Sequence, residues 1–174
     1  MWREEKPIAV FYWIIPDRFM AGEYPSARDE KAARKKIHWL VQNRLDHFID
    51  LTEPGEYDLP PYHRYLTEEE KVTGLDLTHQ QFPIADKQTP SHERMLDILD
   101  AIDDALNIGK NIYLHCYGGI GRTGTVVGCY LVRHGMQGEQ ALKHIARLRF
   151  NTPGGWSVSP ETYLQQTMVL NWKG

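Results

Sequence analysis

A short apolar segment at residues 111–114 is followed by the loop sequence His-Cys-Tyr-Gly-Gly-Ile-Gly-Arg-Thr-Gly at residues 115–124. The loop glycines let the backbone turn tightly, so that successive N–H groups can point at one anion. Arg122 can donate two parallel hydrogen bonds to oxygens of the same anion. In α/β proteins an anion is held at the carboxyl end of a strand, on the N-terminus of the next helix. The loop therefore predicts a strand before it and a helix after it.

The rest of the chain alternates between segments typical of strands and of helices. Strands are predicted over residues 8–15, 18–21, 47–52, 75–84 and 111–115. Helices are predicted over residues 26–45, 67–72, 91–108, 121–134, 137–150 and 160–172, with Ser26 as the first N-cap and Gly109 ending the third helix. This alternation predicts an α/β fold with a mostly parallel central sheet flanked by helices. The length favours a single domain over residues 1–174.

Composition restricts the partners and the compartment. A net charge of −3 and a pI of about 6.2 give no basic surface for nucleic acid or for a membrane. The chain has 2 cysteines, too few for a disulfide framework, which favours a reducing compartment and a cytoplasmic location. The first residues lack the apolar core of a signal peptide, and the apolar stretch at 8–15 is too short to span a bilayer.

Cys116 is the candidate nucleophile. The field that attracts an anion to the loop would also hold its sulfur as the reactive thiolate. Taken singly, a lone cysteine is usually a small buried side chain, and a glycine-rich turn is usually only a turn. The combination Cys-x5-Arg-Thr between a strand and an apolar helix favours a catalytic phosphate-binding loop. A nucleotide-binding P-loop is excluded, because no Gly-Lys-Ser/Thr sequence ends the glycine run.

The loop and its context resemble the cysteine-dependent tyrosine and dual-specificity phosphatase superfamily. The segment Phe-Pro-Ile-x-Asp at residues 82–86 matches the mobile acid-bearing loop of that superfamily in type and spacing. Segments at 21–25, 49–52, 118–125 and 159–162 resemble a compact, mainly prokaryotic branch. The resemblance implies a tyrosine-phosphatase-like fold of dual-specificity size and a reaction that needs no cofactor and no metal.

The residue types and the resemblance together suggest a role for each site residue. Cys116 attacks phosphorus, and Asp86 protonates the leaving oxygen and later deprotonates water. Thr123 is expected to donate a hydrogen bond to the Cys116 sulfur, and His115 is expected to order the loop through backbone bonds. The phosphate oxygens are expected to bind the Arg122 side chain and the backbone N–H groups of Tyr117, Gly118, Gly119, Ile120, Gly121 and Arg122.

Several assignments keep alternatives. Asp58 is a rival for the acid, although any single aspartate in a polar loop is commonly a turn residue or a cap. Gln165 is a candidate for positioning water, with Gln166 adjacent, and Lys87 could meet a second negative group on the substrate. Other polar loop residues are expected to be solvated or to shape access to the site, and Cys129 is expected to be a packed core thiol; these loop residues are Glu53, Glu56, Tyr57, Tyr62, His63 and Arg64.

Three functions are compatible with these residues. The first is a phosphomonoester hydrolase with a phosphocysteine intermediate, acting on phosphotyrosine and also on phosphoserine or phosphothreonine in proteins. The second keeps the chemistry but acts on a small metabolite such as an inositol phosphate, a nucleotide or a sugar phosphate. The uncharged residues 117–121 weigh against inositol polyphosphates. The third is an inactive phosphate-binding module, which would not need Cys116 or Asp86. A sulfur-transfer enzyme fits the Arg-Thr ending poorly.

Overall fold

A five-stranded sheet forms the centre of the computed structural model, which describes residues 6–174. The strands are β1 (Phe11–Ile15), β2 (Phe19–Gly22), β3 (His47–Asp50), β4 (Thr78–Gln81) and β5 (Ile112–His115). Their order is β1-β2-β5-β3-β4, and β1 is antiparallel to β2 while the other neighbours pair in parallel. The predicted α/β class with a mostly parallel sheet is confirmed.

Helices cover both faces of the sheet, and each face has its own apolar core. The helices are α1 (Glu30–Gln42), α2 (His63–Thr73), α3 (His92–Asn107), α4 (Gly121–Arg133), α5 (Gly138–Arg149) and α6 (Tyr163–Leu170). Because side chains alternate along a strand, Ile112 and Leu114 of β5 pack with α3 to α6, whereas Tyr113 packs with α1 and α2. Cys129 of α4 is a buried free thiol in the larger core, as predicted, and burial raises its pKa to about 12.

Some element boundaries differ from the sequence prediction. Helix α1 begins at Glu30 rather than at Ser26, because Asp29 is the N-cap and accepts a hydrogen bond from Ala32 N at 2.7 Å. Helix α2 is longer than predicted, since burial of Tyr65 and Leu66 stabilises its first turn. Strand β4 ends at Gln81, where Phe82 N instead donates to Asp50 O and starts the next loop.

The carboxyl ends of the parallel strands lie side by side. Asp50 at the end of β3 and Gly22 at the end of β2 both pair with His115 at the end of β5. Asp50 also pairs with Gln81, the last residue of β4. The loops that follow these strands therefore begin at one edge of the sheet, where an α/β fold binds its ligands. No helix within residues 6–174 is both long and apolar enough to cross a bilayer.

Candidate active site

The loop between β5 and α4 is fixed against the rest of the fold on two sides. Tyr24 N donates to Tyr117 O at 2.9 Å, and Ser159 Oγ donates to Ile120 O at 2.7 Å. Gly119 has a φ of +68° and lies so close to β2 that an added Cβ would be 2.5 Å from Gly22 C. A residue with a side chain would therefore be strained in conformation and would also collide with backbone. The loop conformation depends on contacts far apart in the sequence.

Cys116 lies at the carboxyl end of β5, and its residue is 3% exposed. Helix α4 begins after Ile120, and the free N–H groups of a helix N-terminus favour negative charge nearby. His115 is fully buried; its Nδ1 lies 3.2 Å from Cys116 O and its Nε2 lies 2.7 Å from the Tyr62 hydroxyl. Burial lowers the pKa of His115, so the neutral ring donates from Nδ1 and accepts from Tyr62. The histidine thus bonds to the loop backbone.

Arg122 lies in the first turn of α4, and its guanidinium is already paired. Its Nη1 and Nη2 donate to Glu56 Oε2 and Oε1 at 2.7 and 2.6 Å, and Nη1 also donates to Ile84 O at 2.9 Å. Burial opposes the charge, but the hydrogen bonds to Glu56 raise the pKa of Arg122 above its ordinary value. The Glu56 carboxylate thus occupies one edge of the guanidinium, and phosphate binding by Arg122 stays a prediction.

Asp86 reaches the arginine, whereas Asp58 does not. Asp86 Oδ1 lies 3.2 Å from Arg122 Nη2, and Asp86 Oδ2 accepts a hydrogen bond from the Tyr57 hydroxyl at 2.6 Å. The backbone before Asp86 is anchored to the end of β3, since Ile84 N donates to Leu51 O at 3.1 Å. Within residues 6–174 the Asp58 carboxylate takes part in no hydrogen bond or ion pair.

The expected hydrogen bond from Thr123 to the Cys116 sulfur is absent. Thr123 is fully buried in the first turn of α4, and its hydroxyl has no hydrogen-bond partner among the described residues. Thr125, one half-turn further, instead satisfies its own hydroxyl by donating to Gly121 O at 2.8 Å. An unpaired buried hydroxyl carries a free-energy cost, so Thr123 is available to a group that binds beside it.

Gln165 lies beside the loop between β5 and α4, whereas the Gln166 side chain forms its hydrogen bond elsewhere. Gln165 is fully buried near the start of α6, and its Oε1 would be 2.9 Å from a Cβ added to Gly121. Its side chain accepts from Thr162 N at 3.1 Å and donates to Gln88 O at 3.2 Å, which ties α6 to the segment after Asp86. Gln166 donates to Pro160 O instead. Lys87, next to Asp86, has a φ of +61° and contributes its carbonyl to Thr162.

Glu56 and Tyr57 contact the site more closely than their sequence context predicts. Both lie in a polar loop after β3 and were expected to be solvated, yet the Glu56 side chain is only 7% exposed. The one available signal was the position of this loop at the carboxyl edge that also carries Cys116. Tyr62 was also expected to be solvated but is buried, whereas His63, Arg64 and Glu53 lie at the surface.

Asp50 places a buried negative charge under the site. Its Oδ1 accepts from Thr52 N and Thr52 Oγ1 at 2.8 and 2.7 Å, and its Oδ2 lies 3.6 Å from His79 Nε2. Burial alone would raise the pKa of Asp50, but the His115 and His79 rings and the Thr52 donors lower it to about 2. A carboxylate with this many donors stays ionised at neutral pH.

Comparison with known proteins identifies the family. Residues 23–136 match the family described as "Polymorphic toxin system, DSP-PTPase phosphatase". The chain belongs to this family. Its members are cysteine-dependent enzymes of the protein-tyrosine and dual-specificity type.

Curated relatives extend over most of the chain. The mouse dual-specificity protein phosphatase CDC14B is 29% identical over 160 residues, which cover 92% of this chain and 30% of that protein. Arabidopsis thaliana PTEN1, named a phosphatidylinositol 3,4,5-trisphosphate 3-phosphatase and protein-tyrosine-phosphatase, is 30% identical over 83% of this chain and 34% of its own length. The chain thus spans about a third of the length of these two relatives.

Solved structures share the fold over nearly their whole length. Tk-PTP in its active form superposes with a TM-score of 0.70 at 27% identity, covering 92% of this chain and 93% of that one. Kinase-associated phosphatase superposes with a TM-score of 0.74 at 18% identity, covering 95% and 93%. The dual-specificity phosphatase family and a tyrosine-phosphatase-like fold are therefore shown together.

Proposed function

We propose that this chain is a phosphomonoesterase that acts through a phosphocysteine intermediate on phosphorylated proteins. One arrangement carries the proposal: Cys116 ends β5, Arg122 lies in the first turn of the following helix, and Asp86 Oδ1 lies 3.2 Å from Arg122 Nη2. A nucleophile, an anion-binding group and a proton donor thereby meet at one edge of the sheet. Membership of a family of cysteine-dependent phosphatases supports this chemistry.

In the first step, the Cys116 thiolate attacks phosphorus in line with the leaving oxygen, which takes a proton from Asp86. The N–H groups of residues 117–122 and the Arg122 side chain stabilise the equatorial oxygens, where negative charge lies in the transition state. Arg122 keeps its orientation through Glu56 and Ile84 O, while its contact with Asp86 is the one that a phosphate oxygen can take over.

In the second step, Asp86 accepts a proton from water as that water attacks the phosphocysteine and releases inorganic phosphate. Gln165 lies against Gly121 and is the candidate for positioning this water. The Thr123 hydroxyl, buried without a partner in the described residues, is the candidate donor to the sulfur as it leaves.

The mouth of the site supports a protein substrate. The exposed rings of Tyr57 and Tyr117 lie 4.9 Å apart between centroids, next to Asp86 and directly after Cys116. Such rings offer contact area to an aryl group or to a peptide side chain. The substrate class proposed is phosphotyrosine, together with phosphoserine and phosphothreonine.

A small phosphorylated molecule is the second candidate substrate. The observation that favours it is the name of the Arabidopsis relative, which describes both a lipid phosphatase and a protein phosphatase. The side chains at positions 117–121 carry no charge, which favours a substrate with one phosphate at a time. An inactive phosphate-binding module is the third candidate, and the presence of Cys116 and Asp86 weighs against it.

Replacing the nucleophile tests the proposed chemistry. Cys116→Ser should abolish hydrolysis of 4-nitrophenyl phosphate while the variant still binds a phosphotyrosine peptide, as measured by calorimetry. Turnover at the wild-type rate would contradict the role of Cys116. A panel of phosphopeptides and small phosphorylated metabolites then separates the two substrate classes, and a wild-type chain inactive on the whole panel would favour the binding module.

The acid is tested by comparing two aspartates. Asp86→Asn should slow hydrolysis of phosphoserine peptides, which have a poor leaving group, by ~10²–10⁴. The effect should be smaller for 4-nitrophenyl phosphate, whose leaving group needs no proton. Asp58→Asn is the matched control. If Asp58→Asn shows that dependence on the leaving group and Asp86→Asn does not, the acid has been assigned to the wrong residue.

A further inference from the structure

Two consecutive residues of one loop hold the two charged side chains of the site. Glu56 binds the Arg122 guanidinium through both of its oxygens, and the next residue, Tyr57, donates its hydroxyl to Asp86 Oδ2 at 2.6 Å. Asp86 comes from a different segment, after β4, and Arg122 from the start of α4. The loop after β3 therefore links an acid and an arginine that are distant in sequence.

The position of the Tyr57 hydroxyl is not explained by burial. The residue is 52% exposed, and its ring packs on Tyr117 with centroids 4.9 Å apart. Tyr57 and Asp58 both have left-handed backbone conformations, with φ of 53° and 50°, which non-glycine residues adopt rarely. Residues held in such conformations cluster at functional sites. The Tyr57 ring is held by packing on Tyr117, and its backbone follows Glu56, whose side chain is bound to Arg122; both neighbours belong to the site.

The hydrogen bond from the Tyr57 hydroxyl makes the two carboxylate oxygens of Asp86 different. Oδ2 accepts from Tyr57, whereas Oδ1 faces Arg122 Nη2 at 3.2 Å. When a phosphate oxygen binds Arg122 Nη2 in place of Asp86, Asp86 Oδ1 becomes free to face the substrate. Asp86 Oδ2 still accepts the hydrogen bond from Tyr57. A proton carried by Asp86 then sits on Oδ1, because Oδ2 is already an acceptor for the phenol. Rotation of the carboxyl group, which would turn the proton away from the leaving oxygen, is opposed by the same bond.

We infer that Tyr57 is the positioning residue of the acid in the proposed reaction. In the first step the Oδ1–H bond breaks as the proton passes to the leaving oxygen, and in the second step Oδ1 takes a proton from the attacking water. Oδ2 accepts the Tyr57 hydrogen bond throughout, and the phenol proton is never transferred. The inference rests on the proposed function, since a chain that hydrolyses no phosphate has no acid to position.

Tyr57→Phe tests the inference, because it removes the hydroxyl and keeps the ring that packs on Tyr117. On a phosphoserine peptide, kcat should fall roughly tenfold, a part of the 10²–10⁴ that a general acid contributes, with KM little changed. On 4-nitrophenyl phosphate, kcat should stay close to the wild-type value. Tyr163→Phe, which removes another exposed phenol, is the matched control and should match wild type on both substrates.

A double-mutant cycle shows whether Tyr57 acts through Asp86. In the Asp86→Asn background, Tyr57→Phe should cause no further loss, because there is no acid left to position. Independent, multiplying losses in the two variants would overturn the inference, and so would an equal loss of kcat on good and poor leaving groups. An inactive wild-type chain would overturn the proposed function as well, whereas an active chain with an unaltered Tyr57→Phe variant would overturn only the role of Tyr57.

Discussion

Glu56 is the buried counter-charge of Arg122 in this site. A guanidinium that is 1% exposed would be costly to bury alone, and the carboxylate that accompanies it is itself only 7% exposed. Two parallel hydrogen bonds fix the plane of the guanidinium as well as balancing its charge. Arg122 is therefore held in position before any substrate arrives, which reduces the conformational entropy lost on binding.

Removing the Glu56 charge should lower the stability of the protein, while the shape of the site should change little. We expect Glu56→Gln to lower the free energy of unfolding by about 2–3 kcal/mol, because a buried guanidinium loses its counter-charge. The measurement is chemical denaturation at pH 7. Glu53→Gln, in the same loop with an exposed carboxylate, should change the stability by less than about 0.5 kcal/mol. Equal effects of the two substitutions would mean that the pair contributes nothing specific.

Single residues of the site differ in how far the sequence could predict them. The Cys-x5-Arg spacing and the upstream Asp86 are local patterns, and the structure brings Asp86 and Arg122 into contact. Glu56 and Tyr57 could not be found in this way, because their partners lie elsewhere in the chain and a loop carboxylate is usually solvated. The free Thr123 hydroxyl was missed for a related reason, since residue type alone does not fix which hydrogen bonds form.

At the scale of elements, the loop between β5 and α4 depends on strand β2. A Cβ added to Gly119 would lie 2.5 Å from Gly22 C and 2.7 Å from Glu23 N, so the loop and the end of β2 fit together only with hydrogen at this position. Gly118 differs, because a Cβ there would meet only Ile120 Cδ1, at 3.9 Å. Close backbone atoms therefore require glycine at position 119, whereas no such close contact acts at position 118.

Replacing each glycine in turn by alanine, which adds one methyl group, tests this difference. Gly119→Ala should push the loop away from β2 and weaken binding of inorganic phosphate by at least roughly tenfold, with a lower melting temperature, because contact and backbone conformation are both unfavourable. Gly118→Ala should have a clearly smaller effect on both quantities. Calorimetric titration and a thermal melt measure them. A larger loss in Gly118→Ala than in Gly119→Ala would contradict this account of the loop.

Elements with strong local signals were predicted well, and those set by long-range contacts were not. Helix α3 has an N-cap at Ser91 and a regular apolar stripe, so both its ends agree with the prediction within one residue. The start of α1 was missed because Ser26 and Asp29 are both acceptable caps, and only the fold selects Asp29. Strand β4 was predicted too long, because the apolar Phe82 and Ile84 anchor a loop instead of extending the strand.

For the whole molecule, the buried charge of Asp50 links stability to acid pH. The pKa of Asp50 is lowered from 3.8 to about 2 in the folded protein. Between these values the unfolded chain binds more protons than the folded one, so stability rises with pH across this window. The contribution, on the order of 2 kcal/mol, is complete above about pH 4 and is lost as the pH falls toward 2.

Asp50→Asn should remove the part of the acid dependence of stability that Asp50 contributes. The free energy of unfolding of the variant should fall less steeply between pH 4 and pH 2 than that of the wild type, as measured by denaturant titrations at several pH values. Asp104→Asn, which changes an exposed aspartate of α3, should keep the wild-type slope. If the Asp50→Asn slope equals that of the wild type, Asp50 is not held ionised in the way that its contacts indicate.

The contact between Asp86 and Arg122 also bears on how a catalytic cycle would end. In the proposed reaction, inorganic phosphate leaves Arg122 and the carboxylate returns to the N–H group that the ion vacates. A phosphate ion that comes back must first displace this carboxylate, and the free energy of the displaced contact is subtracted from its affinity. The same contact lowers the affinity for inorganic phosphate and for the phosphate group of a substrate, so the product is released more readily at the cost of weaker substrate binding.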